Sequence, residues 1–220
     1  MCDWISSGLP LLCAVVALVL YREMLFNSKK ALFPKLVFLG VGCVALGALN
    51  DVVYLLVLHT QTNGIYVGFL GILGCFLFLL SANYGQLDRL FDDSSKVFRK
   101  YRYIAGLAPT IILAIFIPIF FASNLPVTMC VFAFLGWLPV TCASYYNFKH
   151  SILPDCGFMF VKAVRPYNIT AVILEISYTL HIVMRTYQLT VGVIITSAFI
   201  SVSLVALLHF AKEGVSKWTI

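Results

Sequence analysis

The sequence predicts an all-α, polytopic membrane protein with seven transmembrane helices. Three observations carry that expectation: apolar residues dominate, they fall into seven runs of membrane-spanning length, and Lys and Arg collect in alternate gaps between the runs. Of the 220 residues, 61% are hydrophobic and 11% charged, against roughly 25% charged in soluble domains. So little chain lies outside the runs that 1–220 reads as a single membrane domain, with no separate catalytic or output domain expected. The formal net charge of +6 would suit nucleic acid in a soluble chain. Here its position between the spans explains it. The expected partners are therefore the lipid bilayer and a small-molecule ligand, with no nucleic acid; assembly into a homo-oligomer is compatible with the same reading.

A span needs about 20 predominantly apolar residues. The first run, 5–21, follows a segment whose one charge is Asp3; lacking a basic stretch before it, it reads as a retained helix and not as a leader peptide. The second, 36–58, ends in LGALNDVVYLLVL and brings Asn50 and Asp51 to membrane depth. The third, 64–84, leads into SANYGQ (81–86), which reads as a helix exit or a gate. The fourth, 104–122, is an apolar connector. The fifth, 126–146, carries Trp137 and Pro139, the sixth, 167–186, carries Glu175 and His181, and the seventh is 189–210.

Counting cations between the runs orients the chain. Arg22, Lys29, Lys30 and Lys35 follow span one; Arg89, Lys96, Arg99, Lys100 and Arg102 follow span three; Lys149, Lys162 and Arg165 follow span five; Lys212 and Lys217 follow span seven. The other side has Arg185 at the edge of span six. Positive charge is retained in the cytoplasm, which places the N-terminus outside and the C-terminus inside. The outer loops near His59 and Asn124 are short. Such compact loops suit a plasma or inner membrane, and a bacterial inner membrane in particular.

Comparing the chain with itself reveals a second layer of order. KKALFPK (29–35) lies over KHSILPD (149–155), DVVY (51–54) over EISY (175–178), and YVGFLGIL (66–73) over TVGVIITS (190–197). Spans one to three (5–84) and five to seven (126–210) therefore read as two copies of a three-helix unit, joined by span four. Because one helix intervenes, the copies run parallel about an axis along the membrane normal, a 3+1+3 arrangement of the kind found among transporters.

That arrangement, at about this length and with the N-terminus outside, resembles the SWEET and PQ-loop carriers of sugars and amino acids, and the wider superfamily that joins them to rhodopsin-like seven-helix proteins. The likeness covers the whole chain and lies in topology. The Pro-Gln pair is absent; Pro34 and Pro154 are symmetric but begin spans two and six. Span seven, ITSAFISVSLVALLHF, has no lysine for a retinal Schiff base, since Lys212 falls at its edge. The stretch GVGCVALGALND (40–51) is similar to the glycine-rich, acid-bearing second span of the lysoplasmalogenase family of membrane hydrolases, with Asn50-Asp51 where that family has Gly-Asp. These likenesses imply a carrier or, second, a lipid hydrolase. No family residue is carried onto this chain, because fold does not transmit function.

Chemistry at membrane depth rests on few residues. Asp51 and Glu175 are the two acids deep in the spans, equivalent under the repeat, and each has a tyrosine three positions on, Tyr54 and Tyr178, on the same helical face. An ionisable group at that depth is costly and marks a ligand or proton site by default; two acids facing one cavity would share a proton. The alternative is structural, with the acids bonded to Asn50, Ser81 or Ser177 as fastenings between helices. His181 is a candidate proton relay, and Trp137, beside Pro139, a candidate stacking platform or a packing residue. The seven cysteines show no CxxC or ligand spacing and read as small apolar residues. No metal or other cofactor is expected. A small-solute carrier, proton-coupled through Asp51 and Glu175, accounts for most of these features. A seven-helix sensor signalling through a partner and a lipid hydrolase are the other classes, the last lacking a nucleophile beside its two acids. Membrane-impermeant maleimide tests the orientation: in intact cells it labels Thr62→Cys and spares Ser28→Cys and Ser94→Cys until the membrane is opened, and the reverse pattern overturns it.

Overall fold

A computed structural model describes residues 2–27, 31–59, 67–88, 96–121, 127–154 and 159–217. Met1, Lys29, Lys30, Arg89, Asn124 and Asp155 lie outside them, as do residues 64–66, 122 and 126 at the edges of three predicted spans. The described chain is all-helical. In order it forms α1 (Cys2–Leu20), a short α2 (Glu23–Phe26), α3 (Leu32–Leu58), and α4 (Val67–Leu80), which widens into a π-helix over Ser81–Asp88. Then come α5 (Arg99–Ala105), α6 (Leu107–Phe116) with a 3-10 turn over Ile117–Phe121, α7 (Val127–Ile152), α8 (Met159–Thr186) and α9 (Thr190–Ser216).

Among the described residues, six segments are long and apolar enough to cross a membrane: Asp3–Leu20, Leu32–Leu58, Val67–Asp88, Arg99–Phe121, Val161–Thr186 and Thr190–Ser216. The chain is thus a multi-pass membrane protein. Its polarity is that of a bundle dissolved in lipid: Leu46, Val57, Val202 and Phe121 lie on the outside, while Asn83, Asn147, His150, Asn168 and Glu175 are fully enclosed. In water the reverse distribution holds for charged side chains. Helix α7 is 26 residues long and packs against α4, α6 and α8, with Asn147, Lys149 and His150 in its last two turns.

Contacts between helix ends fix which ends lie together. Phe33 of α3 meets Tyr167 of α8 edge to face, Arg165 donates to the Leu153 carbonyl, and Lys212 of α9 sits over the Tyr21 ring at the end of α1. These cations gather at one end of the bundle, the basic end. At the other, the Tyr187 hydroxyl donates to the Pro118 carbonyl, and His59 closes α3 in the left-handed conformation. There α8 turns directly into α9, with Gln188 at φ 56° and the Leu189 N–H donating to the Met184 carbonyl.

Three glycines, Gly47, Gly68 and Gly71, set a close helix crossing. A Cβ on Gly47 would lie 2.8 Å from the Gly68 carbonyl oxygen, and one on Gly71 would lie 2.6 Å from that of Cys43. Helices α3 and α4 therefore touch backbone to backbone, the small-residue packing favoured where lipid offers no hydrophobic drive to associate. Gly47→Val forces this crossing apart and costs about 1–3 kcal/mol, read as a lower melting temperature in detergent. Gly42→Ala, whose added Cβ meets nothing within 4 Å, leaves it unchanged.

Candidate functional site

The π-helix creates the site's first element. Asn83 and Asp88 are five residues apart, which on an α-helix sets them about 140° apart around the axis. An i→i+5 register returns them to one side. One imidazole then spans both: His150 Nδ1 is 2.9 Å from Asn83 Oδ1, and Nε2 is 3.1 Å from Asp88 Oδ1. An amide oxygen and a carboxylate both accept, so each ring nitrogen faces an acceptor, an arrangement that suits the imidazolium form of His150.

From His150 a directed chain of hydrogen bonds runs inward. Asn83 Nδ2 donates to Asn147 Oδ1 at 2.5 Å, and Asn147 Nδ2 donates to Glu175 Oε1 at 2.6 Å. Asn147 and His150 lie three apart on α7 and so share a helix face. Asn83 Nδ2 also faces the Leu79 carbonyl and the Tyr167 hydroxyl, at 3.2 and 3.3 Å. Glu175 is 0% exposed, and its Oε2 has no hydrogen-bond partner among the described residues. At the basic end Asp88 also binds Lys149 at 2.5 Å, and that ammonium lies over the Tyr145 and Tyr146 rings, 5.9 and 5.6 Å from their centroids. Lys149 is 3% exposed. Its charge is thus held by a carboxylate and two ring faces, as a cation taken from water requires.

The residues singled out from the sequence fall in different surroundings. Glu175 lies within this chain. Tyr178 is buried with its ring edge-on to Phe76 at 5.8 Å, whereas Tyr54 is exposed and Asn50 and Asp51 are half-buried. Asp51 and Glu175 are not brought together as one pair. With Phe33 level with Tyr167, Asp51 lies 18 residues further along α3 and Glu175 eight further along α8. That difference of 10 residues sets them about 15 Å apart in height. Trp137 is fully buried, its faces stacked on Phe69 and Phe116 at 5.9 and 5.6 Å, and its Nε1 donates to Thr179 Oγ1. His181 Nδ1 is 2.9 Å from Thr196 Oγ1. The Thr196 hydroxyl is itself placed to donate to the Gly192 carbonyl, which leaves His181 Nδ1 as the donor to it.

Asp88, Asn147, Lys149, His150 and Tyr167 are not candidates from the sequence, and Asn83 enters there only within the exit or gate run 81–86. The available signal was SANYGQLD beside YYNFKH, two polar strings at ends of spans that face the same side. Comparisons with family models, with curated proteins and with solved structures found no match to this chain.

Asn147 joins the two halves of the network. Asn147→Leu strips the donor from Glu175 and the acceptor from Asn83, and stability falls by about 1–3 kcal/mol for each group left buried without a partner. Thermal unfolding in detergent measures it, with Ser81→Ala, an exposed position bonded to its own helix, as the unaffected comparison.

Proposed function

We propose that the protein is a seven-span carrier of a small solute, coupled to protons through Glu175. The carrying observation is Glu175 itself: a fully enclosed carboxyl group with one oxygen unpartnered among the described residues and the other tied by hydrogen bonds to the basic end. A carboxyl group in that position binds a proton or a cationic group from within the bundle and exchanges it through polar side chains. The neighbouring helix extends the polar path. Gly192 packs at Met184 and Gly214 at Ala163, a register that sets Ser201 level with Glu175 and Ser197 nearer His181. Tyr178, Asn50, Trp137 and His181 belong to this reading as groups along the solute path, with Asp51 and Tyr54 nearer the far end of α3.

In the same reading α7 also crosses the membrane and brings the spans to seven, the basic end faces the cytoplasm, and the two three-helix units are related by the parallel repeat. Reconstituted vesicles test the function. A panel of small metabolites is offered with and without an imposed pH gradient; one class accumulates with the gradient, and Glu175→Gln abolishes the response to it. Gradient-driven uptake that survives Glu175→Gln removes Glu175 from the mechanism. A protein that moves no solute but cleaves a lysolipid is a hydrolase instead.

A further inference from the structure

The hydrogen-bond chain from His150 to Glu175 has a property that neither end has alone. Every link points one way: His150 Nδ1–H to Asn83 Oδ1, Asn83 Nδ2–H to Asn147 Oδ1, Asn147 Nδ2–H to Glu175 Oε1. The oxygen and nitrogen of a carboxamide are nearly isosteric, so the same positions support the opposite polarity once both amides turn over. Glu175 Oε1–H then donates to Asn147, Asn147 to Asn83, and Asn83 Nδ2–H to a His150 Nδ1 that carries no proton.

We infer that the Asn83–Asn147 amide pair is a reversible relay that ties proton binding at Glu175 to proton release from His150, and so to the His150–Asp88 contact at the basic end. This rests on Glu175 being the proton-binding group. No proton crosses the amides. One proton joins the Glu175 carboxylate from its own side, the two amides rotate, and one proton leaves His150 to the medium at the basic end. The carboxylate–imidazolium pair becomes a neutral acid and a neutral imidazole, with the combined charge unchanged. His150 keeps Nε2–H toward Asp88 but loses its charge, so the contact weakens while Lys149 stays on Asp88. Turning Asn83 gives up its bond to the Leu79 carbonyl, and the Tyr167 hydroxyl becomes the donor to it, which favours the first polarity at rest. Among the described residues, other titratable groups facing these include the Tyr146 ring beside His150, and Cys75 and Tyr167 near Glu175.

Nitrogen NMR of labelled histidine on the purified full-length protein reads the imidazolium fraction of His150, assigned with His150→Gln, as pH is varied. Removing the acid with Glu175→Gln shifts the His150 midpoint by about half a pH unit or more. The relay predicts that this shift shrinks severalfold in an Asn147→Leu background. An equal shift in both backgrounds means a field acting through space and overturns the relay. If Asn147→Leu does not fold, the wild-type protein decides: the side-chain amide signals of Asn83 and Asn147 move with His150 at one midpoint, and separate midpoints overturn the proposal. A coupled shift in a protein that transports nothing removes the carrier and keeps the relay. Gradient-driven uptake with independent shifts does the opposite.

Discussion

The structure depends on hydrogen bonds being completed without water. In hydrocarbon each buried polar group must find its partner within the bundle, and Asn83, Asn147, His150 and Glu175, none of them exposed, find one another across three helices. That requirement sets the rotation of α4, α7 and α8: turning any one of them strands at least two donors or acceptors. Apolar packing has no such precision, since lipid tails and leucine side chains are equivalent solvents. The ring cluster around Trp137 fills the space above the network, and the Trp137–Thr179 bond ties α7 to α8 there a second time.

The two ends of the sequence meet in the fold. Helix α1 packs against α9 as well as α3, so the first and last spans share a wall, and Tyr21, His209 and Lys212 join them at the basic end. The pairs on either side differ in kind. Helices α3 and α4 lock through bare glycine backbones, whereas α8 and α9 meet through His181 against Thr196 and Ser197, whose hydroxyls return to their own helix carbonyls, as does that of Ser201. A hydroxyl satisfied in that way crosses to a neighbour at little penalty and leaves it as readily.

The apolar helices were legible because span length answers to the bilayer, a simple solvent. The far ends show it: 36–58 ends with α3 at Leu58, and 167–186 with α8 at Thr186. At the basic end the helices run past the apolar runs, α7 to Ile152 where the run stopped at 146, and α8 from Met159 where it began at 167. A hydropathy reading stops at the first polar residues. Asn147, Lys149 and His150 therefore read as loop in the sequence, whereas the structure holds them in the last turns of α7. Glu175 was legible because a lone acid in a greasy run is conspicuous, but its partners look ordinary until helices are placed side by side. The match of Asp51 to Glu175 concerns order in the sequence, and depth in the bundle follows from where α3 and α8 begin.

Eight residues of π-helix at the end of α4 hold a further consequence. Each added residue per turn is a stored rotation of about 100° for everything that follows it. Were Ser81–Asp88 to rewind as ordinary helix, Asp88 would swing around the axis away from His150 while Asn83, nearer the start, would move far less. The segment is a screw with two thread pitches, and the side chains at its tip record which one is engaged.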